Sequence, residues 1–146
     1  MGFQEQEGVI KWKMHFNSSP QVVYEGLATA EGRAKYWAES AVESEGVIEF
    51  QILGYPPFKG RVLEKIPGEL FGIEYFGSEV TFELKKDDDG GTDMTLIAKN
   101  VDDSMKYEMT SGWVSVLMAM KAALDFGVDL RNHDIERTWM KGYADN

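Results

Sequence analysis

The stretch from Met109 to Leu130, MTSGWVSVLMAMKAALDFGVDL, constrains this chain more than any other part of it. It is long, free of proline and apolar around most of its circumference, the signature of a buried helix. On a helical wheel Trp113, Leu117, Met120, Leu124 and Val128 form one stripe, and Val116, Ala119, Ala123, Phe126 and Leu130 form a second beside it. Two apolar stripes need two covering surfaces. Gly112 and Gly127 each cost such a helix about 1 kcal/mol relative to alanine, and they read as close-packing points against its cover. The segments before the helix alternate with the period of antiparallel strands. The expected architecture is therefore α+β: a curved antiparallel sheet of six to seven strands around a long C-terminal helix.

The alternation starts at Val9–Phe16, where Ile10, Trp12, Met14 and Phe16 share one face and Lys11, Lys13 and His15 the other. Ser19 then stands as an N-cap with Pro20 at the first helical position, where a missing N–H does no harm. Val23 and Leu27 give that short helix an i, i+4 apolar pair, and Thr29 caps a second one, AEGRAKYW, turning Ala34, Tyr36 and Trp37 inward. Strands follow at Ser40–Glu43, Val47–Leu53, Gly60–Ile66, Leu70–Phe76 and Val80–Lys86, with a last one around Met94, Leu96 and Ala98. Turns fall at Ser44-Glu45-Gly46, Gly54-Tyr55-Pro56-Pro57, Pro67-Gly68, Gly77-Ser78 and the acidic tip Asp87–Gly91. Each connection suits antiparallel neighbours.

At 146 residues the chain fits one domain, with a core over about residues 9–131. The polar segment 132–146 carries Trp139 and Tyr143, rings too large to idle on a free tail, so it is expected to dock on the domain body or on a second copy. The absence of cysteine excludes disulfides and thiolate metal sites and is compatible with the cytoplasm, where the protein is expected. Fifteen basic against twenty-five acidic residues, a formal charge of −10, argue against nucleic acid and anionic membranes as partners. Lys121, Asp125 and Asp129 interrupt the terminal helix as a membrane span. The N-terminus lacks a signal-peptide pattern, and Gln6 rules out reading Met1-Gly2 as a myristoylation start.

ATAEGRAKYW ending in Trp37, GRVLEKIPGELF with Gly60 and Pro67, and Gly112-Trp113 followed by Val116-Leu117 occur in an order and spacing that resembles one family. The resemblance is to the helix-grip, START-like (SRPBCC) superfamily. Within it the chain is similar to the branch named after the activator of the heat-shock-protein-90 ATPase. It runs from about Lys11 to Leu130. The segment after Leu130 departs from the general family pattern and resembles a bacterial subgroup. The resemblance implies a single START-like domain with a cavity between sheet and terminal helix. It does not select among ligand binding, cyclase chemistry and chaperone regulation, since the superfamily does all three. Its chaperone activators carry an additional N-terminal domain for which this sequence has no room, which weighs against that role.

The residues themselves offer little catalytic chemistry. His15 falls on the polar face of its strand, and His133, within Asn132-His133-Asp134, reads as part of a helix-terminating polar turn with no second ligand at metal spacing. The Asp87–Asp93 run lacks the alternating ligands and closing Glu of a calcium loop and reads as a solvated tip. No nucleophile elbow, phosphate loop or cofactor motif is present, so neither cofactor nor metal is expected. In the strand Leu70–Phe76 either Glu74 or Tyr75 faces inward; with Phe71, Ile73 and Tyr75 inside, Glu74 is outside. The expected activity is non-enzymatic binding of a small hydrophobic or amphipathic molecule. Trp37, Phe50, Tyr75, Phe82, Trp113, Leu117 and Met120 are expected to line the cavity, with Tyr75 as hydrogen-bond handle. The alternatives are a protein-interaction module, either chaperone-regulator-like or a homodimer through Trp139 and Tyr143, and then a cyclase- or hydrolase-like enzyme.

Overall fold

Period-two alternation becomes a single sheet in the computed structural model, which describes residues 3–146. The Met1-Gly2 start therefore lies outside the described residues. The strands are β1 (Ile10–Phe16), β2 (Ser40–Ser44), β3 (Val47–Gln51), β4 (Phe58–Ile66), β5 (Leu70–Tyr75), β6 (Ser78–Lys86) and β7 (Thr92–Lys99). They form a seven-stranded antiparallel sheet in the order β1-β7-β6-β5-β4-β3-β2. Hairpins explain every neighbour except the β1–β7 pair, which brings the first strand beside the last. The inner face is as the alternation demands: Ile10, Phe16, Ile48, Phe50, Phe71, Ile73, Val80, Phe82, Met94, Leu96 and Ala98 are buried. Tyr75 is buried with them, and Glu74 lies on the outer face, paired with Arg61.

The β5–β6 turn differs by one residue from the Gly77-Ser78 expected. Phe76 and Gly77 are its central pair, at φ 48° and 78°, with Tyr75 and Ser78 as the closing partners. A two-residue hairpin favours positive φ at both positions because that twist matches the strands. Phenylalanine is costly there. Its ring is compensated by packing at 4.3 Å on Phe58 and 4.8 Å on Tyr75.

The two short helices are α1 (Pro20–Ala28) and α2 (Ala30–Ala34), each capped as its sequence requires: Ser19 accepts from Val22 N–H and Thr29 from Gly32 N–H. The second ends three residues short of Trp37. What the sequence did not signal is Arg33, which is 0 % exposed. Its guanidinium donates to Leu27 O at 2.9 Å and twice to Ala41 O at 3.0 and 2.7 Å, tying both helices to β2. Burial lowers its pKa, with Tyr36 and Glu43 opposing that shift.

The long helix α3 runs from Asp103 to Phe126 rather than from Met109 to Leu130. It starts early because Asp102 caps it, accepting from Ser104 N–H, so its first turns are polar and invisible to an apolar pattern. It stops early because Gly127, at φ 66°, is the left-handed cap and not a helical residue; Val128 N–H reaches back to Ala122 O. Val128 and Leu130 thus leave the helical stripes. The side chain of Asp125, 0 % exposed, fixes this end. It accepts from Asn17 N–H (2.8 Å), Ser18 N–H (3.0 Å), Ser18 Oγ (2.7 Å) and Lys121 Nζ (3.2 Å). Burial pushes its carboxyl up, but these bonds outweigh burial and hold it below the usual aspartate value. No helix among the described residues is long and apolar enough to cross a membrane.

Neither stripe is covered along its whole length. Trp113, Leu117 and Met120 of the first and Ala119 of the second are buried, as is Met109, whereas Phe126 of the second is 66 % exposed, and Val114 and Met118, which belong to neither stripe, are also exposed. The helix packs on β1 and α1. Toward β3 and β5 it stands off, and long side chains such as Trp113 and Tyr75, 5.1 Å apart, bridge the distance.

Candidate functional site

The stand-off between α3 and the β3–β5 end of the sheet opens a groove of about 680 Å³. Its floor is aromatic: Trp37, Tyr75 and Trp113, from the turn between α2 and β2, from β5 and from α3, meet at 5.1–5.9 Å between centroids. One wall is α3, through Met105, Glu108, Met109, Gly112, Val116 and Ala119. Tyr55 and Phe76 stand at the sheet's rim. The opposite wall is the segment after α3, with Leu130, Arg131, Trp139 and Ala144–Asn146.

That segment has little regular structure beyond a 3-10 turn at Trp139–Lys141, and no helix begins at Asp134. Side chains hold it. Arg131 donates to Ala38 O (2.8 Å) and Ala34 O (2.7 Å) and pairs with Asp129. Asn132 Nδ2 donates to Arg137 O and Asp145 Oδ1, and Ser115 Oγ on α3 donates to Ala144 O. Thr138 is buried against Gly54, whose φ is 86° and whose lack of a Cβ lets the threonine side chain approach its backbone.

His133 lies well past the end of α3 and does not terminate it. Its Nδ1 lies 2.8 Å from the Glu39 carboxylate and its Nε2 2.8 Å from Asp129, bridging the body and the tail. Hydrogen bonds to Glu39 and Asp129 raise its pKa. Burial works against the Asp129 carboxylate, but Arg131 and His133 together hold it far below the usual range. His15, read as solvated, pairs with Asp93 across the strands at 3.0 Å, with Asp87 nearby. The Asp87 carboxylate already accepts from Asp89 and Gly91 N–H, as a hairpin-tip residue does.

Of the residues expected to line the cavity, Trp37, Tyr75 and Trp113 do so. Phe50, Phe82, Leu117 and Met120 are buried behind them, outside the lining. Phe50 and Phe82 buttress the floor, at 5.2 and 5.7 Å from Trp37. Trp139 contributes to the groove wall, whereas Tyr143 is exposed. Gly112 is no close-packing point: a Cβ there would find only Trp139 Cζ2, at 4.0 Å. Sequence reasoning missed the rim and the far wall, although Gly54-Tyr55-Pro56 marked a break and Trp139 a ring in need of a site.

Burial dominates the electrostatics of the floor. Burial raises the Tyr75 phenol well above its ordinary value, with the Trp37 indole pulling the other way. The indole sits near the phenol oxygen but short of hydrogen-bond geometry, so Trp37 Nε1 is a buried donor without a partner. At the mouth, burial and the facing Glu108 carboxylate raise Tyr55. Such a floor offers shape, ring faces and one protonated hydroxyl, and it lacks a base.

The profile of the family described as Activator of Hsp90 ATPase homolog 1-like protein matches residues 17–125. No curated protein gives a significant match. Among solved structures, a Staphylococcus saprophyticus protein is similar at TM-score 0.73 and 21 % identity, over 87 % of this chain and 98 % of that one. The Aha1 dimer from Colwellia psychrerythraea is similar at TM-score 0.71 and 20 % identity, over 82 % and 97 %. A conserved protein of unknown function from Enterococcus faecalis gives 0.74 and 16 %, over 92 % and 83 %.

Proposed function

We propose, from the premise that the chain belongs to the Activator of Hsp90 ATPase homolog 1-like protein family, that it binds a small apolar or amphipathic molecule in the α3 groove without covalent chemistry. The observation that carries the reading is the groove itself: about 680 Å³, floored by three aromatic rings and provided with a few polar groups. Ligand sites have this size and this mixture of apolar lining and sparse polar handles. The protonated Tyr75 phenol is suited to donating a hydrogen bond rather than to abstracting a proton.

The test is native mass spectrometry of the protein purified from its own host, beside the Gly112→Leu variant, whose side chain would project into the groove. An extra mass that denaturation removes, and that the variant lacks, supports the reading. A clean apo mass together with no rise in melting temperature across apolar compounds sinks it.

A second reading, self-association, is favoured by one observation. Val114 and Met118 on α3 and Met140 and Tyr143 on the tail are all exposed around the Ser115–Ala144 bond. The same spectra report subunit count, and deletion of residues 133–146 abolishes a dimer formed there.

A further inference from the structure

The charges and donors of the groove narrow what it can hold. Three charged side chains line it among the described residues: Glu108, Asp145 and Arg131. Two are acidic. The guanidinium of Arg131 is engaged by Ala34 O, Ala38 O and Asp129. No free cation is therefore offered to an anionic ligand. At the floor the polar atoms are of another kind. Trp37 is 4 % exposed and its indole N–H is unpartnered, an arrangement that costs free energy in a buried site. Tyr75, 8 % exposed, places its hydroxyl beside that N–H.

Tyr75 also reports on its own surroundings. Its phenolate is the one anion the floor could carry, and burial disfavours it strongly. A ligand carboxylate in the same place meets the same desolvation penalty with no cation to offset it. A neutral acceptor escapes that penalty and receives a hydrogen bond.

We infer that the groove selects uncharged apolar molecules bearing a carbonyl-type acceptor, seated on Tyr75 Oη, and rejects the corresponding carboxylates. This rests on the binding reading above and adds the chemical class of the ligand. The occupant is a medium-length ketone, ester or comparable neutral oxygenated molecule, with its apolar remainder along α3.

The experiment uses three probes on the full chain at pH 7.5: the hydrocarbon dye diphenylhexatriene, 2-undecanone and undecanoate. Diphenylhexatriene emission that rises with the protein and that Gly112→Leu abolishes reports groove occupancy, and displacement of the dye gives the affinities of the other two. The expected result is displacement by the ketone at a concentration at least tenfold below that needed for the carboxylate. Tyr75→Phe should then weaken the ketone about fivefold to tenfold, the size of one neutral hydrogen bond, and leave the dye's apolar binding in place. Equal displacement by both probes, or a ketone indifferent to Tyr75→Phe in a folded variant, overturns the inference while the binding reading stands. Should that variant not fold, the ketone–carboxylate ratio on the unaltered protein still decides. No dye binding and no binding of either probe removes the binding reading and this inference together.

Discussion

Replacing Asp125 by alanine isolates a single clasp between the C-terminal end of α3 and the β1–α1 loop. The carboxylate accepts four hydrogen bonds, from Asn17, Ser18 twice and Lys121, with no solvent on its side chain. Bonds to a charged group each contribute about 1.5–3 kcal/mol net. Three corrections reduce the sum. Water can re-solvate the exposed Asn17 N–H and Lys121; removing a carboxylate from the helix C-terminus recovers about 0.3–1 kcal/mol; and its desolvation penalty disappears, which is several kcal/mol. The expected loss is about 2–4 kcal/mol, a fall in Tm of roughly 5–15 °C for a chain of this size. Urea unfolding followed by tryptophan emission measures it as a lower midpoint at constant m. The pH dependence has a definite sign. The folded pKa lies below the unfolded value of about 3.9, so the contribution is complete above that value and is lost as pH falls through the folded pKa. The gap between parent and variant must therefore narrow in acid. A loss under about 0.5 kcal/mol at pH 7, or a gap that stays constant into the acid range, refutes the reasoning.

Three further outcomes are expected. Arg33→Met leaves Leu27 O and Ala41 O without their buried donor and lowers stability by about 2–4 kcal/mol in urea unfolding; Arg33→Lys recovers only part, because one ammonium cannot reproduce the fork. Gly112→Ala is expected to stabilise α3 by up to about 1 kcal/mol, since a methyl there meets only Trp139 at 4.0 Å; a lower Tm would mean the site is tighter than described. The His133 bridge makes tail docking depend on pH: with its folded pKa raised by Glu39 and Asp129, its contribution is full below about 6.5 and is lost as pH rises through the folded value. Amide exchange over residues 130–146 should accelerate between pH 6 and 9 beyond the intrinsic chemical rate. His133→Ala should remove that excess.

Where local pattern dictates structure, the chain was legible. Alternation at Ile10–Phe16 and Leu70–Tyr75 identified the inner face, including the choice of Tyr75 over Glu74, and Ser19-Pro20 and Thr29 marked both short helices. The ends of α3 were missed because caps, not apolar periodicity, set them: Asp102 extends it through a polar turn and Gly127 stops it inside an apolar run. The site was half legible. Trp37, Tyr75 and Trp113 announced themselves as large apolar residues, but so did Phe50, Phe82, Leu117 and Met120, and periodicity cannot separate a cavity wall from the layer behind it. The far wall left no periodic trace at all. It depends on Arg131 reaching Ala34 and Ala38 across some ninety residues of sequence, and on His133 finding Glu39.

The two walls of the groove answer to different constraints. Every residue of the floor also holds the sheet and helices together, so a change there risks the fold. The far wall adds no strand and no long helix; it is strapped on by a handful of polar side chains. It can therefore lengthen, shorten or change composition while the scaffold stays intact. Diversification of this pocket over evolutionary time, or by design, has a cheap route through residues 130–146, and proteins with the same floor can come to hold differently shaped molecules without altering a single core ring.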